Sequence, residues 1–436
     1  MAVHTIGDLY QMQSLPLDAK IRMTEARIEA WIREFGTEKV YISFSGGKDS
    51  TVLLDIVRNK MNYKEIPAVF VDVPTQYPEL KEFVQTFDNV EIIKPKISFV
   101  QVCEKYGFPL VSKEVSESVE GARKYLTQLR NEIGCVQTDR QTDRQTDRQT
   151  DRRHRYSYFY ERVTGTGKYS KFSETPSIDE IAIKQGSRGG TTTSIENSEE
   201  LANMLNDRMV NRKGGNNQRL AIMLGMPTKD QQIKANIPNE DRSNFALVKW
   251  KFLLDSPFEI SNKCCNTMKK EPAHSYHKRT GRNPITAQMA DESRLRLQKW
   301  LQNGCNGFNL KIPTSNPMSF WTEQDVLLYI KRENLPICSV YGDIVIDYEK
   351  MGHLQGQSFL FENGDEPLKT TGCERTGCVL CGFGCHLERE GEGRFELLKQ
   401  THPKYYALLD ICKNKGYSYR QAIEWLNENG NLNIRL

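Results

Sequence analysis

Two groups of residues in this chain have the types and spacing to do chemistry. The first is Ser43-Phe-Ser-Gly-Gly-Lys-Asp-Ser-Thr51. Gly46 and Gly47 let the backbone turn tightly so that its amides face an anion. Ser45 and Ser50 add hydroxyls, and Lys48 adds a positive charge. Asp49 and Ser50 suit the cap of a following helix, whose N-terminal dipole favours phosphate. Asp49 repels a phosphate unless Mg2+ or the neighbouring lysine screens it. The spacing is not the GxxxxGK[ST] of the common nucleoside-triphosphate loop. A plain strand-to-helix turn accounts for Gly46 and Asp49, but not for the whole set.

The second group is the cysteines, eleven in all. Cys264 and Cys265 are adjacent, and Cys373, Cys378, Cys381 and Cys385 cluster near the C-terminal end. An odd total in tight clusters fits metal or redox chemistry better than a disulfide framework. Four thiolates from such spacings, combined across a fold, suit an iron–sulfur cluster. A four-cysteine zinc site is the structural alternative, although a vicinal pair is awkward on a single ion. Cys373 and Cys385 are surplus, each a replacement ligand or a redox thiol, with His386 placed to help ionise Cys385. The scattered Cys103, Cys135, Cys305, Cys338 and Cys412 read as small buried hydrophobes.

The elements that must position these groups follow from periodicity. Residues 17–35 space Ile21, Ala26, Ile28 and Trp31 as an amphipathic helix. Residues 39–45 read as a strand, 49–61 as a helix, 67–73 as a strand, 78–88 as a helix and 90–96 as a strand. That alternation predicts a parallel sheet with crossover helices, the glycine loop lying at the carboxyl end of its first strand. Residues 111–133 read as a helix. Within 321–335 Trp321, Val326, Leu327 and Tyr329 mark the core face of another. The stretches 394–416 and 419–430 read as two closing helices.

Between these regions lies Gln-Thr-Asp-Arg in four tandem copies, Gln137 to Arg152. It carries no apolar residue and cannot offset the entropy of ordering by burial, so it reads as a solvated segment. Its alternating Asp argues against a nucleic-acid contact. The codons CAG-ACA-GAC-AGA would spell the same unit as three copies of CAGA. A gene written that way would slip by one tetranucleotide and lose its frame, making the tract an on/off element; synonymous codons that break the period would exclude this. Residues 154–245 are polar and glycine-rich in places, and read as an insertion of loops and short helices.

Composition narrows the classes. The chain has 436 residues, 38% hydrophobic and 27% charged, enough for two or three structural units. A net charge of +4 is too small to demand nucleic acid or a membrane surface. No apolar run reaches the ~18 residues of a membrane helix, and the first residues lack a signal-peptide pattern, so a cytoplasmic protein is expected.

Ser-Gly-Gly-Lys-Asp-Ser after a strand resembles the pyrophosphate loop of the adenine-nucleotide alpha-hydrolase superfamily. That superfamily includes ATP pyrophosphatases, tRNA thiolation enzymes and phosphoadenosine phosphosulfate (PAPS) reductases. Further motifs resemble the PAPS reductase family in its broad sense. VDVPTQYPEL (71–80) matches at Asp72, Tyr77, Pro78 and Glu79. CCNTMKKEPAH matches a C-C-x-x-R-K-x-x-P motif at Cys264, Cys265, Lys269 and Pro272. MSFWTEQDVLLYI is similar to its W-T-x-x-D-V-W-x-Y-I helix. Together these span about two thirds of the chain.

The resemblance implies a Rossmann-like parallel sheet with helices on both faces, plus a small cysteine-rich helical C-terminal region. It divides the chain into 1–133 and 246–340 as halves of one nucleotide-binding domain, 134–245 as an insertion and 341–436 as the cysteine-rich region. It implies nucleotide contacts from Ser45, Gly46, Gly47, Lys48, Asp49, Ser50, Asp72 and Arg296, with Lys48, Asp49 and Lys269 as catalytic groups. A [4Fe-4S] cluster would sit on Cys264, Cys265, Cys378 and Cys381, with Lys269 between cluster and nucleotide. In TAQMADESRLR (286–296), Ala287 and Met289 stand where the family has glycine and arginine. A second phosphate or sulfate would then fall to Arg282, Arg294 or Arg296.

Three activities follow from this reading. An intact loop favours ATP with Mg2+, adenylation of a substrate with loss of pyrophosphate, and sulfur transfer to an acceptor, nucleic acid among the candidates. Reduction of PAPS or adenylyl sulfate is the alternative, but the chain lacks the E-C-G-x-H motif that carries the attacking cysteine. A nucleotide-sensing protein of a mobile-element system is the third. A sulfur- or electron-donor protein and a homodimer complete the expected partners, with no membrane.

Overall fold

The computed structural model describes residues 4–134, 247–350, 366–389, 391 and 393–436. The Gln-Thr-Asp-Arg tract and the polar segment 154–245 lie outside the described residues. The chain forms two compact units, Met1–Phe99 with Cys265–Cys381, and Val100–Cys264 with Gly382–Leu436.

The first unit is built on a six-stranded sheet. Its strands in chain order are β1 (Val40–Ser43), β2 (Ala68–Val71), β3 (Val90–Ile93), β4 (Asn283–Ile285), β5 (Asn306–Gly307) and β6 (Thr314–Ser315). The spatial order is β3-β2-β1-β4-β6-β5, parallel except for the β5–β6 pair. The expected α/β architecture is therefore present. β1 is buried on both faces, as a central parallel strand must be. Val40, Ile42 and Phe44 enter the main core, while Tyr41 packs with Val69 and Tyr276 on the other side.

Helix Leu17–Phe35 lies where its periodicity put it, with one correction. Ala26 is exposed, and Thr24 takes its place in the buried stripe with Ile21, Ile28, Trp31 and Ile32. Positions 21, 24, 28, 31 and 32 follow the helical repeat on one face, and 26 falls opposite. Thr24 is tolerated inside because its hydroxyl accepts a hydrogen bond from Trp321 Nε1 at 2.9 Å. Lys20 is also buried, and its Nζ lies 2.7 Å from both carboxylate oxygens of Asp325. Asp325 in turn closes a capping box with Thr322 at the start of helix Glu323–Glu333. Trp321, Val326, Leu327 and Tyr329 are buried as expected.

One of the expected helices changes its winding and another ends early. The helix after the glycine loop is regular over Lys48–Asp55 and widens into a π turn over Ile56–Lys60. That turn carries the buried Arg58, which donates to the carbonyls of Asp88, Ile66 and Asn89 and ties down the approach to β2 and β3. Helix Pro78–Val84 stops before the expected residue 88.

The second unit packs helix Lys113–Gly134, a tight helical stretch Leu247–Asp255 and the C-terminal helix Tyr419–Gly430. Phe108 stacks on Tyr419 at 4.9 Å, and the tyrosine hydroxyl donates to the Pro109 carbonyl. The expected single helix over 394–416 is broken into Arg394–Thr401, Pro403–Tyr406 and Leu408–Ile411. Pro403 has no N–H to continue the ladder. Lys415 and Gly416, both at positive φ, then turn a short hairpin. Among the described residues no helix is long and apolar enough to cross a membrane.

Candidate functional site

The loop leaves the carboxyl end of β1 and is knitted by its own serines. The Ser45 N–H donates to Ser50 Oγ at 3.2 Å, and Ser50 Oγ donates to the Gly47 carbonyl at 2.9 Å. The Gly47 N–H donates to Ser45 Oγ at 3.3 Å. Gly46 sits at φ +73°, and a Cβ there would stand 2.9 Å from Val84 Cγ2, so both conformation and space require glycine. Gly47 is the N-cap of helix Lys48–Asp55, which directs that helix's free amides toward the loop.

The charges around this turn are only partly matched. Lys48 is buried, with Nζ 2.7 Å from Glu323 Oε1 and a further bond to the Glu374 carbonyl. The Lys48 N–H donates to Tyr341 Oη at 3.2 Å, and that oxygen lies 2.8 Å from Thr376 Oγ1. Burial pushes the Tyr341 phenol up to about 12. Asp49 Oδ1 is buried and has no hydrogen-bond partner among the described residues. Burial pushes the Asp49 carboxyl up, and Glu323 adds to this, while Lys48, Arg375 and Arg296 pull it back. Arg296 is ion-paired with Glu292, and burial together with Arg375 lowers its affinity for its proton. A carboxylate oxygen with no donor, beside an anion-binding turn, is suitable chemistry for Mg2+.

The sequence-derived residues divide accordingly. Ser45, Gly46, Gly47, Lys48, Asp49 and Ser50 form the turn, and Arg296 lies within electrostatic reach of Asp49. Asp72 is instead engaged at the end of β2 by Lys81 at 2.7 Å and Lys94 at 3.9 Å. Arg282 belongs to a structural network, bonded to the Glu38 carbonyl, Glu91 and the Tyr276 hydroxyl. The Arg294 side chain is outside the described set.

Glu323, Tyr341, Glu374 and Thr376 also touch the turn, with Arg375 between the last two, and the sequence singles out none of them. Glu323 lay in a recognised helix, one position after its cap. The others come from segments without periodicity, where a Cys-Glu-Arg-Thr-Gly run beside the cysteines was the only available signal.

Lys269 follows the vicinal cysteines on a helix, its neighbourhood dominated by sulfur. Cys378 above all, then Cys265 and Cys381, hold its ammonium above the usual lysine range against the cost of burial. Cys264 belongs to the second unit, where Cys103 and Cys412 share a hydrogen bond and Cys264 adds to their field. A zinc ion asks four side chains to converge on one point. Among the described residues, no three His, Cys, Asp or Glu side chains do so. A [4Fe-4S] cluster asks one thiolate of each of its four irons; Cys265, Cys378 and Cys381 act on Lys269, and Cys264 is grouped with Cys103 and Cys412.

Comparison with known proteins bears on the whole chain. The profile of the phosphoadenosine phosphosulfate reductase domain matches residues 39–157 and 207–382. Among curated proteins, a probable FAD synthase of Caenorhabditis elegans is 30% identical over 83 residues, 17% of this chain and 16% of that protein. Its counterpart in Caenorhabditis briggsae is 26% identical over 95 residues, 20% of this chain and 18% of that protein. The chain thus spans under a fifth of the length of the curated relatives it matches. No solved structure matches it. The domain profile covers more than half of the residues and includes the loop, Lys269 and the cysteine pairs, so the chain belongs to the phosphoadenosine phosphosulfate reductase family.

Proposed function

We propose that this protein binds ATP at the Ser45–Ser50 turn and adenylates a substrate, releasing pyrophosphate, as the first stage of a sulfur transfer. The observation that carries this reading is the turn itself. It combines an anion-facing helix start, a lysine and a buried carboxylate oxygen with no partner, which together suit a polyphosphate with its metal ion. An oxygen of the acceptor would attack the α-phosphorus, and the bond from that phosphorus to the bridging oxygen would break. Lys48 and the loop amides would neutralise the charge gathering on the departing pyrophosphate. Asp49 would hold Mg2+. The name of the two nematode relatives points the same way, because FAD contains an adenylyl group.

Cys264, Cys265, Cys378 and Cys381 would hold a [4Fe-4S] cluster as a store of sulfide-level sulfur; sulfur would bond to the acceptor in place of the activated oxygen, which would leave as part of AMP. Lys269, held charged among three of these thiols, would favour their thiolate forms. The acceptor is a small molecule or nucleic acid bearing the activated oxygen, and a donor protein would renew the sulfur.

The test is pyrophosphate release from ATP, measured anaerobically on protein reconstituted with iron and sulfide. Release that depends on Lys48 is expected. Sulfite formed from PAPS, with no pyrophosphate from ATP, would replace this reading by reduction of an adenylyl sulfate.

A further inference from the structure

The segment Glu374–Thr376 lies directly on the loop. The Glu374 carbonyl accepts from Lys48 Nζ, and Thr376 Oγ1 shares a hydrogen bond with the Tyr341 hydroxyl that takes the Lys48 amide proton. A Cβ on Gly47 would meet Tyr341 Oη at 3.2 Å and Thr376 Oγ1 at 3.4 Å. Arg375 stands between two residues that touch the turn, yet its own side chain is exposed and makes no hydrogen bond or ion pair among the described residues. It lies within electrostatic reach of both Asp49 and Arg296.

Two guanidinium groups near each other repel, and one of them, Arg296, is already partly desolvated. Glu292 offsets Arg296 but leaves Arg375 unmatched. Such a pair beside the start of a helix is stable when an anion lies between the charges. Met289, which stands where the resembled family segment has arginine, is buried and apolar.

We propose that Arg375 is a nucleotide-binding residue that grips the terminal phosphates of a nucleoside triphosphate, with Arg296 on the opposite side. The inference rests on the ATP reading above and deepens it. Arg375 recognises the part of the nucleotide beyond the α-phosphate, so the residue distinguishes a triphosphate from a monophosphate. Tyr341 and Thr376 hold its segment over the turn, and their hydroxyls occupy the position of a phosphate oxygen until the nucleotide displaces them.

The experiment is titration calorimetry of the full-length protein with ATP and with AMP, comparing wild type, Arg375→Ala and Arg375→Lys. Removing a charge-assisted contact should weaken ATP by about 10- to 100-fold, leave AMP within about twofold, and be partly restored by lysine. Unchanged ATP affinity in Arg375→Ala overturns the assignment. Equal weakening of ATP and AMP also overturns it, because the residue would then serve the fold of the segment. A wild-type protein that binds adenosine 3′,5′-bisphosphate but no ATP would refute the ATP reading itself, and this assignment with it.

Discussion

Two sides of helix Glu323–Glu333 treat buried charge in opposite ways. Where it meets helix Leu17–Phe35 the charges are matched: Lys20 meets both oxygens of Asp325 and Thr24 meets the Trp321 indole, while farther along Tyr329 meets Asp55. On the side facing the glycine turn, the matching is incomplete. Lys48 leans on a half-exposed Glu323 and a backbone carbonyl, Asp49 keeps one oxygen unpaired, and Arg375 is unmatched. Full pairing fixes a fold, whereas partial pairing leaves the free energy to be recovered by a ligand.

That contrast can be broken first at the paired end. Lys20→Ala leaves Asp325 buried and uncompensated and should cost about 3–5 kcal/mol in urea unfolding. Lys20→Met with Asp325→Asn, which keeps an acceptor for the helix cap, should recover much of the loss. A cost for Lys20→Ala in the range of an exposed ion pair, under about 1 kcal/mol, would remove the contrast.

At the turn the opposite sign is expected. The folded protein holds the Asp49 carboxyl above its unfolded value, so the ionised form is the one that burial penalises. The penalty is absent at pH below the ordinary carboxylate range and grows as pH rises through the folded value. Asp49→Asn should therefore raise stability by about 1 kcal/mol at pH 7, with the gain fading in acid, as read from thermal unfolding at several pH values. A loss of stability at pH 7 would mean that the carboxylate is satisfied. The same variant should fail to release pyrophosphate.

The smallest effect sharpens the comparison. Tyr341→Phe removes the hydroxyl that occupies the Lys48 amide, sparing a nucleotide the loss of one hydrogen bond of about 0.5–1.5 kcal/mol. ATP should bind a few-fold more tightly. Weaker binding would show instead that the phenol itself holds phosphate.

Much of this was legible in the sequence. The alternating strands and helices, the loop at the end of β1 and the buried face of residues 321–330 follow from period and composition alone. Thr24 and Lys20 were not, because their burial depends on partners about 300 residues away that no local pattern announces. Tyr341 and Glu374–Thr376 were missed for a related reason: irregular segments carry no period, and only the folded chain lays them on the turn. The cysteines were seen as a set, yet their grouping was only half visible. Lys269 gathers Cys265, Cys378 and Cys381, while Cys264 shares its surroundings with Cys103 and Cys412, two residues that composition assigned to the core.

The strand order has a consequence for expression. β1, which carries the loop, is flanked on one side by β2 and on the other by β4, whose residues lie more than a hundred positions past the Gln-Thr-Asp-Arg tract. A polypeptide ending in that tract would present β1 as a bare apolar edge, prone to aggregate or be degraded. Both the glycine turn's arginine partners and Lys269 would be missing as well. If the gene slips at the repeat, the outcome is binary: an intact chain, or no stable product at all.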